Sequence, residues 1–212
     1  MTALMFVGVI VLGYLVGAIP FGVIAGRLTR GIDVRQYGSG GMGMTNVLRT
    51  LGAKAGIFVF IADVAKGAAA VGIAWAVFAA FEPDMLTWAM TAGGAAAVIG
   101  HNWPVYVGFH GGRGVSTGFG ALLVISWPVA LISLAVFIAI VALSRYVSLG
   151  SILGGLTMLL AMIAFVLLDL EPFAYLIFGL VVAPTIIWRH RGNIQRLLSG
   201  TERKLGKRTE PA

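Results

Sequence analysis

The chain contains no cysteine. Disulfides, thiolate metal sites and a cysteine nucleophile are thereby excluded. Charge is also scarce: 11% of residues are charged, where soluble domains average about 25%. Acids are the rarer sign, with 8 Asp and Glu against 15 Lys and Arg and a net charge of +7. No cluster of His and carboxylates has metal-ligand spacing, so no metal or other cofactor is expected. No short alternating segments suggest a β-barrel. The first apolar run lacks a basic leader and an A-x-A cleavage site, so it reads as a retained helix. What remains is hydrophobicity, 59% of residues with a mean hydropathy of +0.97. Apolar runs long enough to span a bilayer recur along the chain. The basic excess then concerns orientation and anionic lipid, not nucleic acid.

Read in order, residues 3–26 form a first span, with Gly8, Gly13 and Gly17 suited to close helix packing and Pro20 marking a kink or an end. Residues 27–54 are polar and basic. Spans follow at 55–81 and 85–100, separated by the acidic turn Glu82-Pro83-Asp84. The apolar run 118–143 is broken by Ser126-Trp127-Pro128, and spans at 149–168 and 173–188 complete the series. If 118–143 were one helix there would be six spans, and the basic tail would lie opposite the basic 27–54 segment. A break at Pro128 makes seven, and every basic residue except Lys66 then falls on one side. The expected fold is an all-α integral membrane protein of about seven helices, short or broken near 118–143. Its N-terminus is outside and its C-terminus cytoplasmic. The whole of 1–212 is expected to be one domain with a basic tail, 189–212.

Three polar stretches then share the cytoplasmic face. Gly38-Ser39-Gly40-Gly41-Met42-Gly43-Met44-Thr45-Asn46 is a glycine turn opening a helix, with Arg49 one turn behind Asn46. It matches G-x-G-x-x-G, but no βαβ unit surrounds it, so a dinucleotide reading fails. Free N–H groups at a helix start suit an anion, although a plain glycine linker has a similar composition. The stretch from His101 to Thr117 carries Gly108, Gly111, Gly112 and Gly114 around Arg113. Bare glycine amides and a guanidinium suit phosphate. It is not a Walker loop, because no Gly-Lys-Ser/Thr follows. Arg189, Asn193 and Arg196 form a helical stripe in the third stretch, closed by Gly200-Thr201-Glu202. A basic helix resting on lipid headgroups would look the same. His101 and His110 read equally as helix-end or loop histidines and as catalytic groups. Asp63 and Lys66, at i and i+3 inside a span, read as a buried pair or as a transport coupling site. From residues alone, an interfacial enzyme and an organic-phosphate transporter both remain open. Clustering of polar groups on one face, without a two-half repeat, favours the enzyme.

At these positions the chain resembles the bacterial acyl-phosphate:glycerol-3-phosphate acyltransferase family. Residues 38–46 are similar to that family's G-S-G-N-x-G-A-T-N, and Gly100 to Thr117 to its G-H-x-x-P-x-x-x-x-F-x-G-G-K-G-V-A-T. Arg189 to Glu202 meets R-H-x-x-N-I-x-R-L-x-x-G-T-E throughout. Gly41 stands in place of Asn, Met44 and Ser116 in place of Ala, and Arg113 in place of Lys. Arg keeps the charge but replaces a compact ammonium by a planar fork.

The resemblance implies transfer of a fatty acyl group from acyl phosphate to the sn-1 hydroxyl of glycerol 3-phosphate. The products would be lysophosphatidic acid, a precursor in phospholipid synthesis, and inorganic phosphate. No coenzyme A is implied. The catalytic set it implies is His190, Asn193, Ser39, Arg49 and His101. The substrate-binding set is Gly38, Gly40, Thr45, Asn46, Gly111, Gly112, Arg113, Gly114, Thr117, Arg189, Arg196 and Lys66. Asp63 and Glu202 are expected to be structural. The expected setting is the bacterial inner membrane, with a monomer working at its cytoplasmic face on lipid-borne substrate.

Overall fold

The computed structural model describes residues 1–206, and its regular elements in that range are all helices. Lys207 and Arg208 of the expected basic tail lie outside the described residues. The chain opens with α1 (Thr2–Ala18), breaks at Ile19-Pro20, and resumes as α2 (Phe21–Arg30). The expected 3–26 span is therefore two helices. Pro20 cannot donate to the ladder and disfavours helical backbone at the residue before it, which ends α1 at Ala18. Then come α3 (Met44–Leu51), α4 (Ala53–Phe81), α5 (Leu86–Asn102), α6 (Val115–Ile125), α7 (Trp127–Ser144), α8 (Val147–Leu167), α9 (Phe173–Arg189) and α10 (Arg191–Leu198). The expected break in the long apolar run occurs at Ser126, with Pro128 in the first turn of α7, where its missing N–H has no partner to lose.

Among the described residues, the α1–α2 run, α4, α7 and α8 are each long and apolar enough to cross a membrane, and α9 with α10 counts as a fifth if the pair is one bent span. α5 and α9 have 17 residues each, and α6 has 11. The helices pack through small residues. A Cβ on Gly17 would overlap the Ala97 carbonyl, and one on Gly100 the Tyr14 carbonyl, so α1 and α5 meet backbone to backbone. Gly67 and Gly120 lock α4 to α6 in the same way, against Thr117 and Val64. Lipid tails are as apolar as leucine, so such van der Waals contact drives association here more than hydrophobic transfer does. The main core gathers Val71, Val98, Leu122, Met162, Phe178 and Ile186 from α4, α5, α6, α8 and α9. Apolar residues such as Leu4, Ile61, Leu143 and Leu160 stay exposed, as a lipid-facing surface requires.

Candidate active site

The first polar stretch is organised by Asn46. Its Oδ1 accepts from the Ser39 N–H at 2.8 Å, while Nδ2 donates to Val34 O at 2.8 Å and to Gly41 O at 2.7 Å. One buried amide thus holds the turn together from three directions. Gly38 and Gly40 take left-handed backbone (φ 62° and 72°), and a Cβ on Gly38 would overlap Asn46 Oδ1. Arg49, one helical turn on, donates to Arg203 O at 3.2 Å. Burial, then the neighbouring Arg203 charge, hold its guanidinium below the ordinary value.

The glycine loop is held from both sides. Gly112 N–H donates to His101 O at 3.0 Å. From α9, Arg189 Nε donates to Gly112 O at 2.9 Å, and Nη2 donates to Gly112 O at 2.7 Å and Gly111 O at 3.1 Å. Gly114, at φ 78°, turns the chain into α6. Arg113 is left pointing into the interior. None of the ion pairs among the described residues involves it. Burial pushes its guanidinium down to about 10, with Glu202 opposing that shift and Arg196, Arg189 and Arg49 adding to it. It stays charged at neutral pH, an incompletely compensated cation that favours an anionic ligand.

The third stretch bends by 54° at His190, between α9 and α10. His190 Nδ1 lies 2.8 Å from Ile186 O. A carbonyl only accepts, so Nδ1 carries the proton and donates, which leaves Nε2 as the unprotonated nitrogen. Burial first, then Arg113, push His190 down to about 4, so the ring is neutral. Glu202 gathers Ser148 Oγ (2.7 Å), Asn193 Nδ2 (2.7 Å) and Arg196 Nε (2.8 Å). Glu202 thus pairs with Arg196 and takes two neutral donors, one from α10 and one from α8. These bonds hold the Glu202 carboxyl below its ordinary value against the opposing effect of burial.

All three stretches border one cavity of about 490 Å³. That is within the usual size of small-molecule sites. Its polar end presents Ser39, Arg49, Arg113, His190, Asn193 and Arg196. Its apolar part runs past Leu122 of α6, Leu134 and Phe137 of α7, and Met158 of α8. Of the residues expected from sequence, Gly38, Thr45, Asn46, Asp63, His101, Gly112, Gly114 and Glu202 also line it. Gly40, Gly111, Thr117, Arg189 and Lys66 do not. Arg189 is spent on the loop carbonyls. Lys66 pairs with Asp63 at 2.9 Å and donates to Ile19 O at 2.8 Å. Thr117 is fully buried against α4, where its backbone meets Gly67. His110 lies outside, exposed, with Nδ1 at 2.6 Å from Gly108 O. Sequence reasoning missed the α8 wall. Its signal was present: Ser148, Ser151, Gly155 and Met158 recur at helical spacing, a stripe of small and flexible residues in an otherwise bulky apolar span.

The family model described as glycerol-3-phosphate acyltransferase matches residues 7–200. A glycerol-3-phosphate acyltransferase of Synechococcus sp. (strain CC9902) is 42% identical over 197 residues, covering 93% of this chain and 94% of its own. One of Thermoanaerobacter sp. (strain X514) is 45% identical over 203 residues, with 94% and 96% covered. A solved structure of PlsY (YgiH), an integral membrane glycerol 3-phosphate acyltransferase in its glycerol 3-phosphate form, superposes with a TM-score of 0.84. It is 40% identical, with 95% of this chain and 96% of that chain covered. Its lysophosphatidic acid form gives a TM-score of 0.82 at 39% identity, covering 95% of each chain.

Proposed function

The chain belongs to the glycerol-3-phosphate acyltransferase family, and we propose that it moves a fatty acyl group from acyl phosphate to the sn-1 hydroxyl of glycerol 3-phosphate. The observation that carries this reading is the two-part cavity, in which a chamber lined by Arg49, Arg113 and Arg196 opens onto an apolar groove between α6, α7 and α8. One end suits phosphates and the other an acyl chain. An acyl phosphate is a mixed anhydride, already activated. The chain has no cysteine for a thioester intermediate, and none of its three histidines begins the H-x-x-x-x-D pattern of coenzyme-A-dependent acyltransferases.

In this mechanism the sn-1 oxygen attacks the acyl carbonyl carbon and the carbonyl oxygen becomes an oxyanion. Collapse breaks the bond from carbon to the phosphate oxygen, and inorganic phosphate leaves. Arg113 holds the donor phosphate. Arg49, Arg196, Ser39 and Asn193 hold glycerol 3-phosphate and the oxyanion. The work is positioning and charge neutralisation. A base is most effective with a pKa near the working pH. His190, pushed down to about 4, suits orientation of the hydroxyl through Nε2 better than full proton capture. The departing inorganic phosphate, a stronger base than the His190 ring, takes the proton. We place the protein in a bacterial inner membrane with this site on the cytoplasmic side, since seven spans put Arg27, Arg49, Arg113, Arg145 and Arg196 on that face.

The test is product balance. Purified protein in detergent or lipid receives palmitoyl phosphate and glycerol 3-phosphate without coenzyme A or metal. Lysophosphatidic acid and inorganic phosphate should appear in equal amounts. Transfer from palmitoyl-coenzyme A alone overturns the donor. Flux of labelled glycerol 3-phosphate into proteoliposomes, with neither product formed, makes the protein a transporter. Arg113→Ala should abolish or severely impair transfer while the protein stays folded.

A further inference from the structure

Asp63, Lys66 and His101 form a buried polar group that the chemistry above leaves without a task. Each is at most 3% exposed. Lys66 Nζ sits 2.9 Å from Asp63 Oδ1 and donates to Ile19 O at 2.8 Å. Ile19 lies at the break before Pro20, so Lys66 braces a carbonyl beside the gap between α1 and α2. On its other side Asp63 Oδ1 faces His101 Nδ1 at 3.6 Å, a contact longer than a hydrogen bond. The far edge of that ring abuts the glycine loop: a Cβ on Gly112 would overlap His101 Nε2. The His101 carbonyl takes the Gly112 N–H. The His101 ring is therefore wedged between Asp63 and Gly112, directly before Arg113.

We propose that Asp63 and His101 are positioning residues, which set the glycine loop and through it the Arg113 guanidinium, with Lys66 neutralising Asp63 and tying it to the α1–α2 break. This rests on the functional reading above only for which phosphate Arg113 holds. A buried ion pair is expensive and could be replaced by apolar groups with little loss of stability. A positioning role gives the pair a reason to be present. The wedge also accounts for glycine at 112, where any side chain would displace the ring.

The test compares Asp63→Asn/Lys66→Met, which removes both charges together, with Arg113→Gln. Asp63→Asn alone serves as a second variant. Two readouts are taken on folded, purified protein: hydrogen exchange of the peptide containing Gly111–Gly114, and KM for each substrate. The proposal expects faster exchange confined to that peptide. It also expects KM to rise about 10-fold or more for the same substrate whose KM Arg113→Gln raises, since misplacement by about 1 Å is costly. If that substrate is glycerol 3-phosphate, the assignment of the loop to acyl phosphate fails while the positioning role stands. Wild-type exchange and KM in a folded variant overturn the proposal. So does exchange that rises along the whole chain with unchanged KM, because that marks a purely structural pair.

Discussion

Asn46→Asp is nearly isosteric, yet it should disable the site. Asp keeps an oxygen where Oδ1 accepts from the Ser39 N–H, but it removes both N–H donors that now reach Val34 O and Gly41 O. Val34 is fully buried, so its carbonyl loses its partner away from water, at a cost of about 1–3 kcal/mol. The Gly41 bond is only partly buried, and its loss adds less. A carboxylate facing two carbonyl oxygens adds repulsion. The cost falls on one loop and not on the bundle. The helices should remain, as read by circular dichroism, while amides around Ser39–Gly41 exchange faster. Ser39 lines the cavity, and displacement of its turn by about 1 Å should lower kcat on the order of 100-fold. The assay is phosphate release with palmitoyl phosphate and glycerol 3-phosphate. A folded Asn46→Asp enzyme with wild-type kcat and loop exchange would falsify this reasoning. A raised KM for glycerol 3-phosphate with unchanged loop exchange would instead make Asn46 a direct ligand.

Gly120→Val should prevent assembly of α4 with α6, because the added Cβ meets the Val64 backbone, which has no rotamer to change; yield of detergent-stable protein reports this. His190 sets a pH dependence of stability. Its folded value, about 4, lies below the ordinary value of about 6.5, so below pH 6.5 the unfolded chain binds the proton that the folded chain refuses. Stability is complete above about pH 6.5 and falls by up to about 3 kcal/mol as pH drops toward 4; His190→Gln should flatten denaturation midpoints across that window. Met158→Trp fills the apolar groove where α8 lines it and should slow transfer of long acyl chains more than short ones, measured as kcat/KM over a donor series. A uniform change across chain lengths would remove Met158 from the acyl path.

Much of this architecture is written locally. Runs of apolar residues set α4, α5, α8 and α9 close to their expected bounds, and Pro20 and Pro128 mark real breaks because a missing N–H acts on its own helix. The three polar stretches announce their chemistry through residue type, and they meet at one cavity. What sequence leaves hidden is partner choice. Arg189 sits in the stripe with Asn193 and Arg196, so it reads as a substrate ligand. Only the approach of α9 to the glycine loop, across 77 residues of chain, gives its fork two carbonyls. Asn46 shows the same ambiguity: an amide that binds phosphate and one that ties a turn are the same letters. Lys66 pairs with Asp63 as helical spacing suggests, but its bond to Ile19 O depends on how α1 meets α4.

The shortness of α6 bears on where in the bilayer the reaction occurs. Eleven residues rise only about 16 Å, against a hydrocarbon core of about 30 Å. Trp127, just past the break, is 64% exposed, and tryptophan favours the headgroup layer. With Trp127 anchored there, the opposite end of α6, where Arg113 sits, lies on the order of 10 Å beneath the other headgroup layer. For the lipid donor proposed above, this means that its phosphate sinks below the headgroup layer to reach the charged chamber while its tail stays among tails, and the water-soluble acceptor travels down by the same distance.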